Sequence, residues 1–349
     1  LDHIAGFFKP KGILVFALPL DVPFQSAVQR RCAMHLNYML ELYESGYRDF
    51  IGIHLEGSDL SARILVSINL TRSNLTGAQL SRAFLTKAML NQTRLNWADL
   101  SYTKMNSSQL IQADLTKALL MGAFLVKANL TEARLSGANL AHANLRDANL
   151  SHANLSGANL QGVNLRGANL TGANLSWANL RGARLSGAEF DKTRLSEVNL
   201  EGAYLNGVDL QGLSLQGVNL RDAKLNGANL DGANLAFAKL THATLRGVSL
   251  RQANLTGADL SQTFLSNAEL GQANLSRADL TRANLSEARL DNTQIDGAEF
   301  TDSILPAAAR PYLYAAANGQ TPRSQQHTRE TLDRSQFVDH HVLKSMADF

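Results

Sequence analysis

The chain has 349 residues with a net charge of +3, and 18% of its residues are charged. This near-neutral balance argues against a strongly basic nucleic-acid-binding protein, and the single Cys32 excludes an internal disulfide or a cysteine-rich zinc site. No apolar run reaches the length of a membrane span, so we expect no transmembrane segment.

Residues 1–49 do not follow the period that governs most of the chain. Residues 13–20 are apolar and predict a buried strand, although a signal-peptide core is an alternative. Residues 24–45 predict a helix, because apolar side chains recur at helical spacing and Gly46 supplies a stop signal. We expect residues 1–49 to cover the start of the structure that follows, unless they are the end of a larger upstream domain.

An apolar residue stands at every fifth position from Phe50 to Leu305. A period of five fits neither the 3.6 residues of a helical turn nor the two-residue alternation of a strand. The period instead predicts a linear array of repeated units, each touching only its neighbours. Leucine fills all but five of these 52 positions, and the exceptions are Phe50, Met105, Phe190, Ile295 and Phe300.

Each five-residue unit repeats one polarity pattern around its central apolar residue, which we call position i. Position i−2 is mostly Ala, position i−1 is often Asn or Asp, and positions i+1 and i+2 are polar or Gly, as in residues 136–140. This pattern resembles the A(D/N)LXX motif of the pentapeptide-repeat family over residues 50–305. The resemblance implies an all-β fold, a right-handed four-sided parallel β-helix with about 20 residues per coil and about 13 coils. Short helical segments are expected to cap both ends.

The residue types suit such a coil. Leu at position i would point to the axis, and the small Ala at i−2 would fit an inward-facing corner. Gly stands at i+2 in 20 units, where a tight turn needs unusual backbone angles, and all six prolines lie outside the array. Four side chains break the rule of small residues at i−2, and they are Ile53, Arg63, Ile68 and Leu213. We expect the first coil or two to be distorted, with Arg63 reaching solvent or an acidic partner, and Leu213 to fill a loosely packed gap.

Residues 306–349 are predicted to form a cap, a linker and a terminal helix. Pro306 ends the period, and residues 307–318 predict a short helix that closes the last coil. Residues 319–330 are polar and predict a linker. Residues 331–349 predict an amphipathic helix that folds back onto the array, binds another protein or forms a homodimer.

With 20 residues per coil, residues whose numbers differ by 20 fall in one surface column. We name column A the i−1 positions from 64 to 304, which include Ile64 and Ile304, and column B the i+2 positions from 57 to 297. Exposed aromatic residues are common, but aligned ones favour a protein-binding face, because aromatic anchors concentrate binding energy. The candidate protein-binding residues are Phe84, Phe124, Tyr204 and Phe264 in column A, and Trp97, Trp177 and Phe237 in column B on the opposite side.

Catalytic and metal-binding patterns are weak in this sequence. Asp99, Asp259 and Asp279 share one i−1 column, and His340 and His341 are adjacent in the tail, but solvated polar groups explain both better than a metal site. The sequence has no Gly-rich phosphate loop and no nucleophile motif. It therefore predicts no enzyme, no cofactor and no metal.

Three functional hypotheses follow. The first is a non-catalytic bacterial scaffold that presents side chains at a fixed pitch to an unidentified protein partner. The second comes from the family resemblance: a DNA mimic that binds a type II topoisomerase such as gyrase and protects it from quinolones. The near-neutral array does not favour a mimic, because duplex DNA carries about one negative charge per 1.7 Å. The third is the substrate-binding repeat portion of a larger bacterial effector. We expect a cytoplasmic location, or secretion under the third hypothesis.

Overall fold

The computed structural model describes residues 35–339, so the strand predicted at 13–20 lies outside the described residues. Helix α1 spans Leu36–Glu44, and the earlier part of the helix predicted at 24–45 also lies outside them. Met39 and Tyr43 are its buried residues. Tyr43 Oη donates a 2.9 Å hydrogen bond to the carbonyl of Val66. Helix α1 therefore packs against the first turns of the repeat array.

The repeat array coils with a period of 20 residues. Parallel bridges join i−1 residues 20 positions apart, beginning with Asp49 and Asn69. The N–H of nearly every central residue donates to a carbonyl of the next coil, as Leu70 does to Met89 at 2.8 Å. Each side contributes one bridged residue per coil, so the sides are very short. The five-residue period therefore builds a parallel β-helix with one unit per side.

A tight turn joins each side to the next. The carbonyl of residue i accepts the N–H of residue i+3, as between Leu70 and Ser73 at 3.0 Å. Residue i+2 has a φ between +54° and +73° throughout the array, whether or not it is glycine. A positive φ at the third residue is the mark of a type II turn. The unusual backbone angle predicted at i+2 is confirmed.

The interior consists of the central residues and their i−2 neighbours. Every central residue from Phe50 to Leu305 is at most 4% exposed. Where Thr replaces Ala at i−2, its hydroxyl is satisfied internally, and Thr93 Oγ1 donates to the carbonyl of Leu70 at 2.9 Å. Burying one leucine contributes about 2 kcal/mol before entropy is counted, so the stacked leucines are the main source of stability.

Arg63 is exposed, as expected, but the predicted distortion of the first coil is wrong. The backbone of that coil keeps its hydrogen bonds, since Leu60 N–H donates to Gln79 at 2.7 Å and Phe84 N–H donates to Arg63 at 2.9 Å. An unpaired guanidinium is very costly to bury, so the side chain leaves the interior while the backbone stays in register.

The ladder of coil-to-coil hydrogen bonds opens at one place between residues 50 and 285. We call it the gap. Seven successive bonds are missing, and the bonds on either side, Leu185 to Tyr204 at 2.9 Å and Leu200 to Asn219 at 2.8 Å, are intact. The donors that lose their partners are the N–H groups of Gly187, Phe190, Lys192, Leu195, Glu197, Asp209 and Ser214.

Two oversized side chains coincide with the gap. Phe190 stands where other units have Leu, and Leu213 stands where they have Ala. Added volume in a packed core forces the backbone apart, so these residues account for the opening. A cavity of about 430 Å³ forms there, lined by Ala188, Phe190 and Leu213 among others. Leu213 is only partly buried and lines this space without filling it, so the prediction that it fills a gap is wrong.

The segment after the array folds against its last coil. Strand β1, Ile304–Pro306, pairs in parallel with strand β2, Gln336–Val338. A 3₁₀ turn, Ala307–Ala309, and helix α2, Arg310–Ala316, occupy most of the region predicted as a short helix. Leu313 of helix α2 is fully buried.

The helix predicted at 331–349 is found only at residues 331–333, and the prediction is wrong for the described residues after Asp333. Helix α3 spans Thr328–Asp333 and therefore begins within the predicted linker. Strand β2 follows it in place of the expected helix. The backbone of β2 is fixed by the array, because Gln336 N–H donates to the carbonyl of Ser303 at 2.8 Å. Residues 340–349 lie outside the described residues.

Candidate protein-binding faces

Position i−1 is the main outward-facing position of each unit. The chain is extended there, so successive side chains alternate between interior and surface, and i−1 residues of neighbouring coils are ladder partners. Asn and Asp suit this position because their side chains accept a hydrogen bond from the N–H two residues later, as Asn149 does from Ser151 at 3.0 Å. An aromatic residue at i−1 gives up that bond.

Column A holds a continuous apolar group at its N-terminal end. Ile64, Phe84, Lys104 and Phe124 are four successive ladder positions. Ile64 is 66% exposed and Phe124 is 42% exposed. Lys104 Nζ lies 4.5 Å from the centre of the Phe84 ring, so the cation covers the aromatic face instead of interrupting the group.

The other two aromatic residues of column A are isolated. Tyr204 lies between Arg184 and Lys224 in the ladder, and Phe264 lies beyond Thr244. Both are more than 40% exposed. The structure therefore brings Phe84 and Phe124 together with Ile64, but it does not join them to Tyr204 or Phe264.

Column B presents three exposed aromatic side chains that do not touch. Trp97, Trp177 and Phe237 are 59%, 68% and 61% exposed. They are four and three coils apart, or about 19 Å and 14 Å at the usual strand spacing. Lys117 Nζ lies 4.5 Å from the centre of the Trp97 ring. Column B is a row of separate anchors and not one surface.

Neighbouring columns enlarge the apolar group of column A. Tyr102, Val66 and Met121 are exposed beside it. A groove of about 450 Å³ is lined by Ala62, Arg82, Phe84, Tyr102 and Lys104. We call residues 61–67, 81–87, 101–107 and 121–127 together the N-terminal face.

The same side of the array is strongly basic. The N-terminal face contains five cations and no acidic residue. The excess continues along the column A side through residues 141–147, 161–167 and 181–187, where four more cations and only Asp147 occur. At the strand spacing the strip from Ile64 to Arg184 is about 29 Å long. Its nine cations are Arg63, Arg82, Lys87, Lys104, Lys127, Arg146, Arg166, Arg181 and Arg184.

Three carboxylates stack in one column near the C-terminal end. Asp259, Asp279 and Glu299 are successive ladder partners. Burial opposes ionisation of Asp259, but hydrogen bonds from Ser261 and Thr241 outweigh it and lower the pKa of this carboxyl. Arg323 reaches back from the C-terminal segment to Asp279, which raises the pKa of the arginine.

This carboxylate column does not form a metal centre. Each carboxylate already accepts a hydrogen bond from its own turn or from the C-terminal segment. Asp259 accepts one from Ser261 Oγ at 2.6 Å, and Glu299 accepts one from Ser324. Among residues 35–339 no group of three His, Cys, Asp or Glu side chains is placed to hold a metal ion. The column fixes the last coils to the segment that folds back on them.

A family model described as pentapeptide repeats, in eight copies, matches overlapping stretches from residue 53 to residue 302. The matched region is most of the chain and coincides with the 20-residue coils. The chain belongs to the pentapeptide-repeat family. The resemblance inferred from the A(D/N)LXX pattern is confirmed.

Solved pentapeptide-repeat proteins are similar to this one. HetL from the cyanobacterium Nostoc sp. strain PCC 7120, involved in heterocyst differentiation regulation, is 32% identical over 76% of this chain and 96% of its own, with a TM-score of 0.26. A thylakoid-lumen pentapeptide-repeat protein from Arabidopsis thaliana is 36% identical over 37% of this chain and 89% of its own, with a TM-score of 0.25. QnrB1, a plasmid-mediated fluoroquinolone resistance protein, is 20% identical over 60% of this chain and 89% of its own, with a TM-score of 0.28. No curated protein matches the chain.

Sequence reasoning found the aromatic columns of this pentapeptide-repeat protein but missed the basic strip beside column A. The signal was available, because sorting the charges by their place in a 20-residue coil finds nine cations and one acid on that side between residues 61 and 187. The basic strip was missed because charges were summed along the chain and were not compared between the sides of the coil. No helix in residues 35–339 is long and apolar enough to cross a membrane.

Proposed function

We propose that this pentapeptide-repeat protein is a non-catalytic scaffold that binds a protein partner through its N-terminal face. The observation that carries the proposal is the continuous group of Ile64, Phe84, Tyr102 and Phe124 on the surface, at successive coils. Aromatic and aliphatic side chains in a contiguous patch supply most of the energy at protein interfaces. Column B is a secondary docking site with widely spaced anchors.

The coil itself does not need these aromatic residues. In units with Phe84, Tyr204 or Phe264 at i−1, no hydrogen-bond partner is found within the described chain for the N–H two residues later. Asn at the same position would supply one, as Asn284 does for Ser286 at 2.9 Å. Aromatic residues at these three positions therefore weaken the turn slightly, which favours a role in binding over a role in stability. After Phe124 the corresponding N–H, that of Val126, donates instead to Asn106 Oδ1 at 3.1 Å.

The finer fold assignment is part of the same proposal. We infer a right-handed helix of about 13 coils, since crossovers between parallel strands are almost always right-handed. Helix α1 and the segment from Ala307 to Val338 act as caps that cover the open edges of the first and last coils. A cytoplasmic location, or export as part of an effector, stays a prediction, as does a homodimer through residues 331–349.

A DNA-mimicking role finds less support. A mimic of duplex DNA has to present negative charge along one side, about one charge per 1.7 Å. The strip with the most uneven charge, on the column A side between residues 61 and 187, carries nine cations and one acid. The identity with QnrB1 is too low to transfer its role.

The proposal is tested by capture of partners on the immobilised full chain. Three baits are compared: the natural chain, a Phe84→Ser/Phe124→Ser variant and a Trp97→Ala/Trp177→Ala/Phe237→Ala variant. All five substituted side chains are on the surface, so each bait is expected to fold. We expect one protein to bind the natural chain stoichiometrically, to be lost from the first variant and to be kept at least in part by the second. Equal recovery on all three baits would contradict the proposal, as would turnover of a substrate by the chain alone.

A further inference from the structure

We propose that the partner segment bound by the N-terminal face is an acidic amphipathic helix lying along column A. This inference rests on the proposed function and adds the chemistry of the partner. Three observations carry it: the one-sided charge, the absence of close ion pairs for that charge, and the spacing of the apolar side chains.

The cations of the N-terminal face are available to a partner. Among the described residues no ion pair is found for Arg63, Arg82, Lys87, Lys104 or Lys127. Elsewhere in the array, arginines are paired across coils, as Arg181 is with Glu201 at 3.3 Å. Unpaired cations around an apolar group attract acidic residues and disfavour basic ones, because like charges at an interface cost several kcal/mol.

The spacing of column A suits a helix. Its ladder positions repeat at about 4.8 Å, close to the 5.4 Å pitch of an α-helix. A helix parallel to the axis can therefore place one apolar side chain per turn against Ile64, Phe84 and Phe124, with acidic residues beside Arg82 and Lys104. From Ile64 to Phe124 the column spans about 14 Å, or nearly three helical turns.

Nucleic acid and lipid are less well matched to this face. Bases stack on exposed aromatic faces, but Lys104 covers the Phe84 ring and the remaining apolar residues include the aliphatic Ile64, Val66 and Met121. A peripheral membrane protein usually inserts the apolar face of an amphipathic helix into the membrane and keeps its charged face towards the water. On the N-terminal face the apolar residues lie among the cations, so inserting them into a membrane would also bury charge.

The experiment uses designed probes and the full chain. The main probe is a helical peptide of about four turns with a leucine and phenylalanine stripe flanked by glutamates. Controls are the same peptide with lysine for glutamate, the same peptide with serine for the apolar stripe, vesicles of phosphatidylserine and phosphatidylcholine, and a single-stranded oligonucleotide. Affinities are measured for the natural chain and for Lys104→Glu. The matched variant is Lys224→Glu, at the same column position but beyond the basic strip.

We expect the acidic amphipathic peptide alone to bind. Its Kd should rise about tenfold for Lys104→Glu, change less than about twofold for Lys224→Glu, and increase with salt, because screening weakens exposed charge pairs. Equal binding of the lysine peptide, or equal effects of the two variants, would overturn the inference. Preferential binding of vesicles or oligonucleotide would overturn it and the proposed function together. If no probe binds but a cellular protein is still captured through Phe84 and Phe124, the proposed function stands and this inference fails.

Discussion

The asparagine at i−1 explains much of the pentapeptide pattern. In units outside the gap, four of the five backbone N–H groups typically have backbone partners, namely those at i−2, i−1, i and i+2. The N–H at i+1 has none, and an Asn or Asp side chain at i−1 accepts it, as Asn164 does from Arg166 at 3.3 Å. Neighbouring asparagines also bond to each other, as Asn164 Nδ2 does to Asn144 Oδ1 at 3.2 Å. The motif therefore completes the hydrogen bonding of its own turn.

A pair of substitutions in column A tests whether an aromatic residue at i−1 stabilises the fold. Phe264→Asn should raise the free energy of unfolding by up to about 1 kcal/mol, because it restores an acceptor for the N–H of Ser266. The reverse change one coil later, Asn284→Phe, removes the acceptor of the Ser286 N–H. It should lower the free energy of unfolding by a similar amount. Urea unfolding followed by circular dichroism measures both. A loss of stability larger than 1 kcal/mol for Phe264→Asn would show that the aromatic ring supports the fold.

Glycine at i+2 has a second role where a ring lies over it. A methyl group on Gly257 would come within 2.7 Å of the Phe237 ring, whereas one on Gly227 would meet nothing within 4 Å. Both positions have a φ near +65°. Gly227→Ala should therefore cost about 1 kcal/mol of backbone strain.

Gly257→Ala should carry the same strain and also move the Phe237 ring. Proton chemical shifts of Phe237 are the measurement, since the ring loses its contact with the glycine of the next coil. We expect them to change for Gly257→Ala and not for Gly227→Ala. Unchanged shifts in both variants would show that Phe237 does not rest on the neighbouring coil in solution.

Sequence reasoning worked at the residue scale wherever one unit decides the outcome. It predicted the buried leucines, the small i−2 residues and the turn glycines, because each follows from local packing or backbone angle. It failed for Arg63, where a distorted coil was expected and only the side chain moved. The choice between moving a side chain and moving a backbone depends on the neighbouring coils, which a single unit does not reveal.

At the scale of elements, the gap is the weakest part of the array. Amide exchange should be fast at Phe190, Lys192 and Leu195, whose N–H groups lack partners in the next coil. The equivalent positions one coil earlier, Leu170, Gly172 and Leu175, donate to that coil at 2.8 to 2.9 Å and should exchange slowly.

The double variant Phe190→Leu/Leu213→Ala removes the extra volume that holds the gap open. We expect its exchange at positions 190, 192 and 195 to slow to the rates of the preceding coil, because the coils can then approach to hydrogen-bonding distance. Hydrogen–deuterium exchange by mass spectrometry resolves these segments. Protection at 190, 192 and 195 in the natural chain equal to that at 170, 172 and 175 would contradict this explanation of the gap.

Asp259 makes the C-terminal coils sensitive to acid. The folded-state pKa of Asp259 lies below its ordinary value, so its contribution to stability is present above about pH 4 and is lost as the pH falls through the folded pKa. Asp259→Asn keeps an acceptor for Ser261 N–H but cannot titrate. The urea midpoint should therefore fall less between pH 5 and pH 2.5 in this variant than in the natural chain. An equal fall in both would exclude Asp259 as a contributor.

Elements outside the array were harder to predict than those inside it. Helix α2 followed from its alanine-rich sequence, but the chain after Asp333 forms strand β2 where helical spacing predicted a helix. Strand β2 exists because β1 leaves an open edge of hydrogen-bonding groups, which attracts a strand regardless of local preference. Such a tertiary partner is invisible in a single sequence.

At the scale of the whole molecule, the coil sorts surface residues by their number modulo 20. Aromatic residues and cations that are far apart in the chain meet on one side, while the other sides carry mixed charge. The columns could be drawn from the sequence once the coil length was known. Which members of a column form one surface could not be predicted, because the sequence does not show that Lys104, the ladder neighbour of Phe84 and Phe124, lies over the Phe84 ring.

The most direct test of the docking face compares the four sides of one coil. A photoreactive phenylalanine derivative is placed in turn at Phe124, Asn129, Arg134 and Asn139, the four i−1 positions of that coil. The native partner, irradiated with each variant of the full chain, should cross-link at position 124 and only weakly at the other three. Equal cross-linking at all four positions, or a maximum at 129, 134 or 139, would contradict the assignment of the N-terminal face as the binding surface.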